Sequence, residues 1–70
     1  MKIETIQVLL IEDHPGDARL VREMLAEAKD IVFSVTYVRL LSEGVTILKQ
    51  AHVDVVLMAG LVADEAAHRA

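Results

Sequence analysis

The chain has 70 residues, 54% of them hydrophobic, a net charge of −4 at neutral pH and no cysteine, and its mean hydropathy is +0.44. That length is at most one small domain, and the missing cysteine excludes disulfides, thiolate chemistry and Cys-based zinc sites. Arg19, Arg22, Arg39 and Arg69 are scattered among acids, which argues against nucleic acid. No stretch approaches the roughly 18 apolar residues of a membrane-spanning helix, and "MKIETIQ" is too polar for a secretion signal, so a cytoplasmic protein with no membrane or nucleic-acid partner is expected.

In chain order, "IQVLLI" (Ile6–Ile11) is continuous rather than alternating, as suits a parallel strand covered on both faces. Pro15 stands where a first helical turn tolerates its missing N–H, and Asp17 adds negative charge near the positive end of the helix dipole. Ala18, Val21, Leu25 and Ala28, with Leu20 and Met24, mark one face at helical spacing, and Arg19, Arg22, Glu23 and Glu27 take the other. A helix over Pro15–Lys29 is predicted. "IVFSVTYV" (Ile31–Val38) sets Phe33, Val35 and Tyr37 against Ser34 and Thr36, the pattern of a half-exposed strand at a sheet edge. Ser42 can cap a second helix, Ser42–Ala51, with Val45 and Leu48 facing inward. Gly44 weakens that helix by about 1 kcal/mol relative to alanine. "VDVVLM" (Val53–Met58) is a third, nearly all-apolar strand, and the alanine-rich tail after Gly60 has the composition of a short terminal helix. The order β-α-β-α-β with right-handed crossovers gives a parallel sheet with helices against its faces.

In such a sheet function gathers at the carboxyl ends of the strands, and Glu12 and Asp13 follow the first strand directly. One reading makes Asp13 a helix cap and Glu12 a solvated loop residue. The other makes the pair a divalent-cation site, since hard carboxylate oxygens suit Mg²⁺. His14 reads as a surface loop histidine rather than a ligand, with no second histidine nearby in sequence. His52 reads as a loop residue, His68 as part of an exposed terminal segment, and Met24 and Met58 as core filler. No nucleophile elbow and no phosphate-cradling glycine loop is present.

"VLLIEDHPGDARLVREML" (Val8–Leu25), followed about forty residues on by "VDVVLM", resembles the opening of a response-regulator receiver domain, the CheY-like module of two-component signalling. The resemblance covers about residues 5–60, and the tail 61–70 diverges. It implies an α/β, flavodoxin-like half domain with strand order 2-1-3. It implies that Asp13 binds Mg²⁺ directly and that Glu12 helps hold the metal's waters. It places the phosphoryl acceptor at the end of the third strand, where this chain has Ala59 in "VLMAG". A methyl group can neither attack a phosphohistidine nor ligate a metal. Asp64, five residues past the strand end, is badly placed to substitute. The family's Pro-Asp turn survives only as "VAD" (Val62–Asp64), and the later Ser/Thr and Lys that read the phosphorylated state do not occur before Ala70.

The expectation is therefore a non-phosphorylatable, receiver-derived association module without catalysis. It requires no cofactor and retains weak Mg²⁺ binding at Glu12 and Asp13. It forms a homodimer, by pairing of third strands or exchange of terminal segments, through Val53, Val55, Val56, Leu57, Met58, Leu61 and Val62. The alternatives are a phosphorelay receiver completed by a partner chain and an engineered fragment without biological function. The sequence identifies no partner kinase.

Overall fold

A computed structural model describes residues 3–58. It shows three strands and two helices in the order β1 (Glu4–Ile11), α1 (Pro15–Ala26), β2 (Ile31–Val38), α2 (Leu41–Gln50) and β3 (Val55–Met58). The strands form one parallel sheet in the order 2-1-3, the arrangement of half a flavodoxin-like fold. Ala59, Leu61, Val62, Asp64, His68 and the tail's predicted helix lie outside the described residues.

β1 is central, and the core follows from that position. All eight of its residues pair with β2, and Val8–Ile11 pair with β3 as well. Val8, Leu9, Leu10 and Ile11 are each 3% exposed or less. Pairing register sorts their side chains. Ile6, Val8 and Leu10 stand beside Phe33, Val35 and Tyr37 on one face, and Leu9 and Ile11 stand beside Thr36 and Val38 on the other. α1 lies over Phe33 and Val35. α2 lies over Leu9 and Ile11, which it approaches through Gly44. The two helices thus cover opposite faces, which is why a strand read as uninterruptedly apolar is buried on both sides.

Leu48, read as facing inward, and Met58, read as core filler, are 46% and 55% exposed, and four further details differ from the sequence reading. α1 stops at Ala26 instead of Lys29: Glu27 and Ala28 make tightened bonds to Met24 and Leu25, and Asp30 then takes a left-handed φ of 67° that helical continuation forbids. Leu20 and Met24 point to solvent, 58% and 69% exposed, leaving Ala18, Val21 and Leu25 to meet the sheet. Ser42 is not the cap of α2. Leu40 holds that position, and its backbone N–H donates to Glu43 Oε1 at 3.1 Å, the acidic half of a capping box. β3 begins at Val55, so Val53 precedes the strand.

The residue before β3 explains that late start. Asp54 donates its backbone N–H to the Gln7 carbonyl at 2.8 Å, and its Oδ2 accepts the Gln7 N–H at 2.8 Å. Its Oδ1 lies 2.7 Å from His52 Nε2. This clamp joins the amino end of β3 to β1. The Gln7 hydrogen bond, and after it the His52 bond, hold the Asp54 carboxyl below its usual pKa. A depressed folded pKa means that the clamp's stabilisation is present above the ordinary aspartate value, about 3.9, and is lost as pH falls through the folded value. The Gln7 amide resonance is expected to titrate with a midpoint below that ordinary value and to stop titrating there in Asp54→Asn. A midpoint at or above it would contradict the clamp.

Candidate functional site

β1 carries the chain to Ile11, and the next residue is locked on both sides. Glu12 donates its N–H to the Val38 carbonyl at 3.1 Å, and its own carbonyl accepts the Tyr37 hydroxyl at 2.9 Å. The Glu12 side chain is pulled under the loop and is 2% exposed. There its Oε1 accepts the His14 backbone N–H at 3.1 Å. Glu12 is therefore a buried acid, not the solvated loop residue of one sequence reading.

His14 is the N-cap of α1. Its carbonyl accepts the Ala18 N–H at 3.0 Å, opening the helix. The Asp13 side chain therefore does not cap α1. The His14 ring is 68% exposed, and its Nδ1 lies 2.9 Å from Asp13 Oδ1 and 3.5 Å from Glu12 Oε1. The approach to Asp13 is close enough for an ion pair when the ring is protonated. Asp13 Oδ1 is buried and receives no hydrogen bond. Asp17, in the first turn of α1, completes the corner: Glu12, His14 and Asp17 each offer an atom within 4.8 Å of the others. Sequence reasoning singled out Glu12 and Asp13 but set His14 aside and gave Asp17 only a helix-dipole role. The spacing Glu-x-His-x-x-Asp across a strand end and a helix start was the available signal.

A cleft of about 420 Å³ lined by Asp13, Arg39, Leu40 and Glu43 opens beside this corner. A second, of about 440 Å³, lies between α1 and the outer side of β2 over Phe33 and Val35, where Arg19 is tied to Glu23 at 3.1 Å. It is remote from the acids at the strand end and gathers no ligand set. Of the sequence-predicted interface residues, Val53 and Val55–Met58 are described and lie along the other edge of the sheet. Val55, Val56 and Met58 are 41%, 38% and 55% exposed, and Val53 and Leu57 are half-buried.

Comparison of the chain with protein-family models, with curated proteins and with solved structures gave no match. Among the described residues, no helix is long and apolar enough to cross a membrane.

Proposed function

We propose that this chain is a receiver-derived association module that takes up no phosphoryl group, catalyses no reaction and joins a second copy of itself through β3. The observation that carries this reading is the outer edge of β3. The strand pairs with β1 on one side, and among the described residues nothing pairs with the other. Its apolar residues Val55, Val56 and Met58 face solvent. An exposed apolar edge with unpaired backbone groups recruits another strand. A twofold axis through that edge sets the two β3 strands antiparallel and makes one continuous sheet of two three-stranded halves. The absence of phosphotransfer rests on Ala59, which directly follows β3 in sequence and has no oxygen to offer. In this reading Glu12 and Asp13 remain from a cation corner, with weak affinity for Mg²⁺ because one principal carboxylate is lost.

Sedimentation equilibrium on the full chain is expected to give twice the 7.7 kDa of one copy. Val56→Lys, which puts a charge from each copy into the shared apolar edge, is expected to return the mass to that of one chain. A folded single copy at high micromolar concentration would overturn the assembly. A phosphoryl mass gain after incubation with Mg²⁺ and acetyl phosphate would overturn the second half of the proposal.

A further inference from the structure

The corner at the end of β1 contains a nitrogen ligand as well as carboxylates, and it is built without any residue from β3. We infer that Glu12, His14 and Asp17 form a site for a borderline divalent metal of the Zn²⁺ and Co²⁺ type, in preference to Mg²⁺. The inference rests on reading this corner as a cation site and is independent of how copies of the chain assemble.

Three observations carry it. The first is the ligand set itself, one imidazole and two carboxylates whose donor atoms lie within 4.8 Å of one another. An ion bound at about 2.0–2.2 Å needs its donors about 3.4 Å apart in tetrahedral geometry; His14 Nδ1 and Glu12 Oε1, at 3.5 Å, already meet this, and rotation of the exposed Asp17 side chain brings in the third. The second is the state of Glu12. Its side chain is 2% exposed, and among the described residues the basic group within ion-pair distance of it is the exposed His14 ring at 3.5 Å, with no lysine or arginine. A carboxylate removed from water needs a cation or a full set of hydrogen bonds, and one backbone N–H from His14 is an incomplete set. The third is Asp13 Oδ1, a buried acceptor that receives no hydrogen bond and has the His14 imidazole nitrogen 2.9 Å away. Buried polar atoms are satisfied as a rule, and an exception next to a ligand cluster points to a missing partner.

The chemistry of the donors selects the ion. Mg²⁺ is held by oxygen and keeps most of its water. An imidazole nitrogen favours Zn²⁺, Co²⁺ and their neighbours, which also accept carboxylate. The positive end of α1 opposes a cation at this position, but Glu12, Asp13 and Asp17 outnumber it in charge. All three ligands lie within six consecutive residues, Glu12–Asp17. Their geometry is therefore set by the β1–α1 turn and does not depend on the alanine after β3.

The full chain is titrated separately with CoCl₂, ZnCl₂ and MgCl₂, following binding heats, the visible absorption of Co²⁺ and the histidine ring resonances. Co²⁺ and Zn²⁺ are expected to bind one per chain, at least about tenfold more tightly than Mg²⁺. Loss of an outer-shell partner alone weakens metal binding by about 10–100-fold, so His14→Ala and Asp17→Asn are each expected to cost no less. Both residues are exposed, and the far-UV spectrum should stay unchanged. His52→Ala and His68→Ala should leave binding intact. Unaltered Co²⁺ affinity in His14→Ala, or its loss in His52→Ala or His68→Ala, overturns the inference. Mg²⁺ bound as tightly as Co²⁺ also overturns it, while leaving the weak oxygen corner of Glu12 and Asp13 in place. Binding of none of the three ions removes both, and the assembly reading stands or falls on the sedimented mass alone.

Discussion

Leu9→Ala is expected to lower the urea midpoint to half its value or less, whereas Leu20→Ala and Met24→Ala shift it only marginally. Leu9 has no exposed surface. It sits in the middle of the central strand, beneath α2, and its Cδ2 lies 3.6 Å from where a Cβ at Gly44 would stand. Truncating a leucine so placed costs about 2–5 kcal/mol, the removed methyls plus the cavity they leave. A domain of this size buries only about 60% of the surface its unfolded chain exposes, less than larger domains do, and has a total stability near the bottom of the usual range, about 5 kcal/mol. One substitution therefore consumes most of it. Leu20 and Met24 are more than half exposed, and surface changes of that kind stay within about 0.5 kcal/mol. The comparison belongs at one fixed chain concentration, because assembly would add a mass-action term to all three variants. A Leu9→Ala midpoint equal to wild type, or a Met24→Ala midpoint as low as that of Leu9→Ala, would show that the core is not where the structure places it.

The contrast between Leu9 and Leu20 marks what was legible in the sequence. Strand β1 was readable because burial on both faces leaves no polar alternation, and β2 because burial on one face imposes it. Their order, 2-1-3, was what the resemblance to receiver domains implied, while the handedness of crossovers gave only a parallel sheet with helices against its faces. The helix face was readable only as a stripe. Leu20, Met24, Val21 and Leu25 all fall within it, and periodicity alone does not say which half meets the sheet. Helix ends failed for a related reason. Ser42 carries the strongest capping side chain, yet the chain turns two residues earlier, where Glu43 reaches back to the Leu40 N–H. Asp54 was read as one residue of a strand, because its clamp on Gln7 exists only once β3 is in register with β1. At the candidate site, two adjacent acids after an apolar strand were visible. The burial of Glu12 and the approach of Asp17 were not, since both depend on the angle at which α1 leaves the loop.

Gly44 shows the same limit with the opposite sign. Propensity alone makes it a defect that alanine would repair by about 1 kcal/mol. The structure reverses the expectation: a Cβ there would lie 2.5 Å from Ile11 Cδ1 and 3.1 Å from Ile11 Cγ1. Ile11 is 1% exposed, so its Cδ1 has to re-pack within the core rather than swing into solvent. Forcing a methylene or more into a packed core costs about 1–3 kcal/mol, so Gly44→Ala is expected to be a net loss. The offending atom can be removed separately. Ile11→Val deletes Cδ1 and by itself costs about 0.5–1.5 kcal/mol. In the Gly44→Ala background the same deletion relieves the overlap, so the double variant should be at least as stable as Gly44→Ala alone. The coupling between the two sites should then reach about 1 kcal/mol, within the range for residues in contact. Ile11 also precedes Glu12, so Gly44→Ala should perturb the Tyr37 hydroxyl bond to the Glu12 carbonyl, while the double variant should restore it. Additive costs in the cycle, or a stabilising Gly44→Ala, would mean that α2 stands farther from β1 than the 2.5 Å approach implies. The close packing of helix on strand that holds Glu12 beneath its loop would then have no support.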